Sequence, residues 1–347
     1  MRDRPAGLRE HDLRLVLAEG WRIDAAALRY AAVGGGSYHW VVRDGAGRCW
    51  FVTADDLDDK AWLGHTRPAV MAGLVSALET ALALRRDAGL DFVVAPVPGV
   101  DGAAVRPAGA GHAVAVFPFL SGTPGRFGEA LPAAERAART DMLAALHRSA
   151  LHEPALHEPA LHRPALAGAP VAAIGLARRE DLDAALRDLG RPWRAGPFGE
   201  QARTLLAGAG DQIHGLLEVF DRRAGAIRAD DFVITHGEPH PGNVMRVGPR
   251  RMLIDWDTVG LGPPERDLWM VAGEEEARRY AGLTGRAVDP GLLEWYRLRW
   301  ALDDISAFAH RLRSAHGRTA DAEHAWVALK QTVASLGGHA AVRPTNC

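Results

Sequence analysis

Two polar motifs, each directly after a short apolar run, constrain the fold of this chain more than any other feature of its sequence. The first follows Phe232-Val233-Ile234 and reads HGEPHPGN from His236 to Asn243. The second follows Met252-Leu253-Ile254 and begins at Asp255. Apolar runs of this length, bounded by glycine, proline and acidic residues, predict two short buried strands. Each strand would deliver polar side chains to its end, where a site can form.

The side chains in these motifs are those that phosphoryl transfer requires. The reaction needs a carboxylate that orients and deprotonates an attacking hydroxyl, and an amide and a second carboxylate that hold the metal ions bridging the triphosphate. Glu238, Asn243 and Asp255 fit these roles in that order along the chain. Asp257 is a further candidate, which either binds a second ion or caps the following turn.

Two histidines in the first motif, His236 and His240, also raise the alternative of a zinc site. Zinc ligation at this spacing normally occurs on a helix, and the prolines at 239 and 241 exclude a regular helix here. We therefore predict that both histidines support the loop and do not bind metal.

The two motifs resemble those of the aminoglycoside phosphotransferases, a family with a protein-kinase-like fold. The likeness continues through residues 261–268, 296–297 and 303–305 and covers most of the chain in the same order. It implies an α+β, bilobed fold with a small antiparallel β N-lobe, which carries one main helix, and a larger, mostly α-helical C-lobe. It also implies ATP and Mg²⁺ as cofactors, and Asp267 as a structural carboxylate that steadies the catalytic loop.

The catalytic position departs from the family pattern, because the family's aspartate is here Glu238. The extra methylene moves the carboxylate by about 1 Å, and a misplacement of that size can lower rates about a hundredfold unless the pocket adapts.

The N-terminal third contains a glycine-tipped meander of strand-like runs at 28–33, 40–42 and 50–52. Its tip comprises Gly34, Gly35, Gly36 and Ser37. Glycines at such a tip let backbone amides approach a triphosphate, with Ser37 as an extra donor, although a tight turn alone explains the same residues. By the resemblance, the tip binds nucleotide, and the carbonyl of Pro118 and the amide of Leu120 bind the adenine edge.

The family's phosphate-binding lysine, usually on the third strand, is missing here because the matching residue is Thr53. The chain has two lysines, Lys60 and Lys330, and only Lys60 lies nearby, where it is either a substitute or a solvated loop residue. The guanidinium groups of Arg43 and Arg48 are the alternatives. Glu79, on a helix predicted over 68–86, either faces the phosphate site or is a surface charge. Thr53 and Glu238 together motivate the alternative of a nucleotide-binding protein with weak catalysis, which sequesters its ligand.

The resemblance divides the 347 residues into three parts. Residues 1–117 form the nucleotide-binding lobe, 118–124 the hinge, and 125–347 the catalytic and substrate-binding lobe. Within the last part, residues 150–166 repeat a five-residue unit with proline at every fifth position. This spacing excludes a regular helix and predicts a surface loop, which explains its histidines better than a metal site does.

Deleting residues 152–160 of this repeat should change neither the melting temperature nor the activity much. A proline-punctuated loop buries little surface, so its removal costs few contacts. Thermal unfolding and turnover of the deletion variant test this, and a large loss of stability would show that the repeat packs against the core.

Composition and charge set the expected partners. The chain is 48% hydrophobic and 24% charged, which is ordinary for a globular protein, and its net charge of -2 argues against nucleic acid as the main partner. The polar start and the lack of a long apolar stretch argue against a signal peptide and a membrane span. They therefore predict a cytoplasmic protein.

We expect a monomer or weak dimer. A hydroxylated, cationic small molecule would bind near Asp303 and Asp304, on a helix rich in aromatic residues.

These observations predict an ATP-dependent O-phosphotransferase whose acceptor is, by the family resemblance, an aminocyclitol or aminoglycoside-type antibiotic. A biosynthetic or housekeeping kinase acting on a sugar, aminocyclitol or amino alcohol is an alternative, because motifs do not encode acceptor specificity.

Overall fold

The structure, a computed structural model, describes residues 1–149 and 168–341, with the side chains of 339–341 left out. The predicted repeat loop at 150–166 lies outside the described residues. The chain divides into two compact units. One comprises Met1, Asp3–Ala172 and Ala229–Val288, and the other comprises Arg2, Ala173–Arg228 and Asp289–Cys347. The lobe boundaries expected from the sequence stay a prediction.

The bounds of the regular elements are as follows. The strands are β1 (Ala25–Ala31), β2 (Tyr38–Asp44), β3 (Cys49–Asp56), β4 (Val105–Ala108), β5 (His112–Pro118), β6 (Thr123–Pro124), β7 (Val233–Thr235), β8 (Val244–Val247), β9 (Arg250–Leu253) and β10 (Gly260–Gly262). The helices are α1 (Glu10–Trp21), α2 (Arg67–Arg86), α3 (Ala133–Arg148), α4 (Arg179–Arg187), α5 (Gly199–Ala224), α6 (Glu265–Leu268), α7 (Glu274–Thr284), α8 (Pro290–Arg313) and α9 (Ala320–Ser335).

The first unit is built on a five-stranded antiparallel sheet with the strand order β1-β2-β3-β5-β4. Side chains alternate between its two faces, as the pleat of a strand requires. One face packs against α1 and forms a hydrophobic core that includes Leu13, Leu17, Trp40, Val42, Val52 and Val114. The opposite face carries Thr53 and Asp55 of β3 and the partners of Thr53 in register, His39 and Ala115. This second face positions the nucleotide-site candidates.

Helix α2 begins one residue before its predicted start and ends where predicted. The hydroxyl of Thr66 caps its first turn by accepting the amide of Ala69 at 3.4 Å, and proline occupies the first turn, as is usual at helix starts. By length and apolar composition α2 could cross a bilayer, but its face from Val70 to Leu84 is buried inside the unit, as in a core helix.

Two features of this unit do not follow from the sequence patterns described above. The apolar run Phe92–Val94 forms only an isolated bridge, in which Val93 pairs with Leu253, because Pro96 and Pro98 lie just after it and cannot donate to a ladder. Helix α1 was not predicted, although its buried residues Leu13, Leu17 and Trp21 recur at helical spacing.

The second unit contains α4, α5, α8 and α9. Its core includes a stacked pair of rings, Phe220 on α5 and Trp295 on α8, with centroids 4.7 Å apart. The antiparallel sheet near the N-terminus and the mostly helical C-terminal region confirm the predicted α+β fold class.

Candidate active site

A short hairpin brings two of the predicted site residues together. Strands β8 and β9 are antiparallel, and Val244 pairs with Leu253 at the open end of the hairpin. Asn243 directly precedes β8 and Asp255 follows β9 by two residues, so the register places them at the same end. The amide of Ile254 also donates to the carbonyl of Asn243 at 3.0 Å, which ties the two loops together.

The amide side chain of Asn243 is oriented by the loop that carries Glu238. Its Nδ2 donates to the backbone carbonyl of Glu238 at 2.9 Å. The same carbonyl accepts the amide of His240 at 2.8 Å. Because Nδ2 donates to the loop, Oδ1 is the atom of Asn243 that would bind a cation.

Asp255 combines an unusual backbone with a crowded electrostatic setting. Its φ of 68° lies in the left-handed region, which residues other than glycine adopt rarely and often at functional sites. Reduced hydration and the carboxylates of Asp257 and Glu238 raise the pKa of Asp255 well above its ordinary value. Asp255 is exposed to solvent, so the neighbouring carboxylates contribute more to this shift in pKa than burial does.

The charges around Asp255 favour the binding of a cation. Asp55, Glu238 and Asp257 all raise its pKa, and the ammonium of Lys60 is the group that opposes them. Among residues 1–149 and 168–341, no three or more histidine, cysteine, aspartate or glutamate side chains are grouped so that they could hold a metal ion. Proteins usually bind Mg²⁺ through one or two side chains together with waters and substrate phosphates. Asn243 and Asp255 fit that pattern.

Lys60 is buried, so the alternative of a solvated loop residue is wrong. Its side chain is 0% exposed, and Nζ lies 3.0 Å from Oδ1 of Asp55 and 2.5 Å from Oδ2 of Asp257. Burial by itself would lower the pKa of the Lys60 ammonium, but the Asp257 and Asp55 carboxylates outweigh it and raise that pKa above its ordinary value. The ammonium is therefore charged.

Glu79 is exposed on α2, which confirms the alternative of a surface charge.

The glycine-rich tip lies close to Lys60. Gly34, Gly35 and Gly36 are exposed, and a Cβ on Gly36 would lie 3.8 Å from Nζ of Lys60. The hydroxyl of Ser37 donates to Asp55 at 2.5 Å. Ser37 is buried, and its hydroxyl proton is used in this hydrogen bond. The structure therefore does not support the expectation that Ser37 is an extra donor to phosphate.

Asp267 fixes the start of the catalytic loop, as predicted. Its carboxylate accepts the backbone amides of His236 at 2.8 Å and Gly237 at 2.6 Å. It also accepts Nε2–H of His147 at 3.0 Å, and Nδ1 of His147 accepts the hydroxyl of Tyr280 at 2.9 Å. Every group in this buried network has a partner, so the loop is held rigidly.

Gly237 is required by sterics at the turn of the loop. Its φ is 99°, and a Cβ at this position would come within 2.5 Å of the guanidinium of Arg266. That guanidinium is itself held by Thr235 at 2.7 Å and by the carbonyl of Thr258 at 2.8 Å. The motif therefore needs glycine before Glu238.

His236 is a scaffold residue, as predicted. Its Nε2–H donates to the carbonyl of Ile254 at 2.9 Å, and its Nδ1 accepts the amide of Glu238 at 3.2 Å. Burial lowers the pKa of His236 to about 4, so the ring is neutral. Both ring nitrogens are occupied within the protein, which argues against the zinc alternative. The ring of His240 instead contacts Phe127 edge to face at 5.1 Å.

Sequence reasoning missed two aromatic residues on the face of the sheet that carries Thr53 and Asp55. His39 and Phe51 stack with centroids 5.1 Å apart, and Nε2 of His39 lies 3.3 Å from where a Cβ on Gly34 would be. Burial lowers the pKa of His39 to about 3, so its ring is neutral. Side chains alternate along a strand, so Phe51 and Asp55 lie on the same face as Thr53. This alternation is the sequence signal that could have located the aromatic pair.

The remaining predicted residues have these positions. Pro118 ends β5 and is exposed, and the carbonyl of Leu120 accepts the amide of Gly122 at 3.0 Å. In the second unit, Asp303 accepts the amide of Ala177 at 3.1 Å and lies 3.5 Å from Arg299, so its carboxylate has structural partners, and Asp304 is half-buried beside it. The adenine-binding and substrate-binding roles of these residues stay predictions.

Replacing Asp267 with alanine should lower the free energy of unfolding by about 3 kcal/mol, because buried donors lose their acceptor. Urea unfolding monitored by circular dichroism measures the change. The control is Asp141→Ala, since Asp141 pairs with Arg279 at 2.6 Å on the surface, where such a pair contributes less than about 1 kcal/mol. Equal losses in the two variants would contradict the role assigned to Asp267.

Comparison with known proteins shows the family of this chain. The model of the phosphotransferase enzyme family matches residues 22–310. Protein StrN of Streptomyces griseus is 30% identical over 306 residues, which cover 85% of this chain and 83% of StrN.

Solved structures share the fold at lower sequence identity. A spectinomycin phosphotransferase in complex with ADP and spectinomycin superposes with a TM-score of 0.69 at 15% identity, covering 97% of this chain and 99% of that one. An amicoumacin kinase in complex with AMP-PNP and Ca²⁺ gives 0.58 at 12% identity, covering 97% and 96%. From the extent of the family match and the identity to StrN, the chain belongs to the phosphotransferase enzyme family.

Proposed function

We propose that this protein transfers the γ-phosphoryl group of ATP to a hydroxyl of a small polar molecule, and that the acceptor is an aminocyclitol or aminoglycoside-type antibiotic. The observation that carries the proposal is the joint placement of Glu238, Asn243 and Asp255. The loop of Glu238 is bonded to the side chain of Asn243, and the carboxylate of Glu238 lies close enough to Asp255 to raise its pKa.

Each of the three residues has a distinct part in the reaction. Glu238 orients the acceptor hydroxyl and takes its proton as the oxygen attacks the γ-phosphorus, while the bond from that phosphorus to the β–γ bridging oxygen breaks and ADP leaves. Asn243 and Asp255 would hold Mg²⁺, which would supply positive charge to offset the negative charge of the triphosphate. The rigid loop held by Asp267 keeps Glu238 in place, which supports catalysis by positioning.

The acceptor class is supported by what related folds bind. One structural neighbour was solved with ADP and spectinomycin, and another with AMP-PNP, Ca²⁺ and its amicoumacin ligand. A role in antibiotic resistance follows if such a molecule is the acceptor of this chain. The alternative of a catalytically weak, ligand-sequestering protein loses part of its motivation, because Lys60 supplies a buried ammonium despite Thr53.

A phosphoryl-transfer screen tests the proposal. The purified chain is incubated with γ-labelled ATP and Mg²⁺ over a panel of aminocyclitols, aminoglycosides, macrolides, sugars and amino alcohols, with Asp255→Asn as the inactive control. We expect labelled product with an aminocyclitol or aminoglycoside. Transfer to a sugar or amino alcohol alone would favour the biosynthetic or housekeeping kinase, and no transfer to any acceptor would overturn the proposed function.

A further inference from the structure

The nucleotide site has no lysine at Thr53, and the structure places a different cation there. Lys60 lies in the turn after β3, and its ammonium forms ion pairs with the carboxylates of Asp55 and Asp257. We propose that Lys60 is the phosphate-contacting cation of this chain and that Asp55 and Asp257 are the carboxylates that position it. This inference rests on the proposed function, because it takes a nucleoside triphosphate as the ligand.

Lys60 touches the loop that is expected to cover the phosphates. Its Nζ donates to the hydroxyl of Ser37 at 3.2 Å and lies 4.9 Å from the ring centroid of Trp62. A Cβ placed on Gly36 would lie 3.8 Å from Nζ. The ammonium therefore lies against the glycine tip, where the backbone is bare of side chains and phosphate oxygens can approach.

Two carboxylates from separate segments hold this ammonium. Asp55 is two residues after Thr53 on β3 and so shares its face of the sheet. Asp257 is two residues after Asp255, the predicted metal ligand. A buried charge is tolerated when it is paired and hydrogen-bonded, and Lys60 meets that condition through both acids. Lys60 thereby connects the sheet to the segment that would hold the metal.

The turn that carries Lys60 is fixed along its length. The amide of Leu57 donates to the carbonyl of Gly111 at 2.9 Å, and the amide of Leu63 donates to the carbonyl of Lys60 at 3.0 Å. Past the turn, Leu63 packs closely on α2, because a Cβ on Gly73 would come within 2.7 Å of its carbonyl oxygen. The lysine is therefore presented by a defined backbone.

This arrangement replaces the strand-lysine and helix-glutamate pair of kinases. The helix residue Glu79 is exposed, and the partners of Lys60 are Asp55 and Asp257. Asp257 is accordingly assigned to the positioning of lysine instead of to a second metal ion. Nucleotide affinity in this chain should not depend on the charge at Glu79.

The hydrogen bonds of Lys60 indicate how it would meet a phosphate. An ammonium has three donors, and here they reach Asp55, Asp257 and Ser37. Ser37 is the neutral acceptor and the most distant of the three, so it is the one that an anionic phosphate oxygen would replace. Ser37 would keep its own bond to Asp55 at 2.5 Å.

Calorimetric binding of ATP and of adenosine to Lys60→Met tests the assignment. Loss of a charge-assisted contact should weaken ATP binding about tenfold to a hundredfold. Adenosine carries no phosphate, so its affinity should change less than about twofold. The matched control is Lys330→Met, since the other lysine of the chain is exposed on α9 over the ring of Trp326 and should leave both affinities unchanged.

Lys60→Met leaves two buried carboxylates without their cation and could therefore destabilise the fold. A second pair of variants separates this structural effect from the loss of a phosphate contact. The double variant Lys60→Met with Asp55→Asn removes one charge of each sign and should show the same loss for ATP alone. Asp257→Asn, which keeps the lysine but loosens it, should weaken ATP about threefold to tenfold and leave adenosine binding unchanged.

The outcomes separate this inference from the proposed function. ATP binding by both Lys60 variants as tight as in the wild type, in a protein that phosphorylates an acceptor, would overturn the role of Lys60 and leave the function standing. Equal losses for ATP and adenosine would also overturn it, because the effect would then be structural. A wild-type chain that binds no ATP would overturn both.

Discussion

Asp255→Asn should reduce kcat by at least about a thousandfold, which corresponds to about 4 kcal/mol of transition-state stabilisation. The carboxylate is one of the two groups that fit Mg²⁺, and an amide is neutral and a weaker ligand. Steady-state kinetics at saturating ATP and Mg²⁺ measures the effect. Full activity under these conditions would remove Asp255 from the metal site.

The choice of asparagine separates chemistry from folding. Asp255 has a left-handed backbone with φ of 68°, and asparagine tolerates this conformation better than most residues. Asp255→Ala should be equally inactive but lose about 1 kcal/mol of stability to backbone strain. The asparagine variant should be no less stable than the wild type, because it relieves repulsion from Asp257 and Glu238. Thermal unfolding of both variants checks this.

The loop motifs and their positions were predictable because they depend on local patterns. Apolar runs ending in polar residues located β7 and β9, and the order of Glu238, Asn243 and Asp255 fixed their roles through the family resemblance. The scaffold role of Asp267 also followed from the resemblance, and the structure confirms it through two backbone amides.

The location of Lys60 was not predictable, because it depends on how a turn is folded and not on a pattern within it. A lysine surrounded by aspartates, as in the segment from Asp55 to Lys60, usually indicates a solvated turn. Its burial comes from a contact with Asp257, far along the chain, which no local signal encodes. Helix α1 was missed although its buried residues Leu13, Leu17 and Trp21 recur at helical spacing. Arginine and glutamate stand between them, and the sheet that covers this apolar face is not evident from the sequence of the helix alone.

Glu238→Gln should reduce kcat by about a hundredfold to a thousandfold, and Glu238→Asp by about tenfold, if the pocket is built around glutamate. The amide keeps the length of the side chain but cannot take the proton of the acceptor. Aspartate keeps the base but ends about 1 Å short of the hydroxyl. Kinetics of both variants against the wild type, with the acceptor found in the screen, measures the two effects.

The backbone around Glu238 makes the two substitutions comparable. Its amide is bound to His236 and its carbonyl to Asn243, so a change of side chain leaves the loop in place. The comparison therefore tests length and charge separately. Glu238→Asp faster than the wild type would show that glutamate is a disabling change from aspartate, and that the protein is a weakened relative of active enzymes. Glu238→Gln as fast as the wild type would remove Glu238 as the base in either case, and catalysis would then depend on positioning, on the Mg²⁺ that Asn243 and Asp255 would hold and on the charge of Lys60.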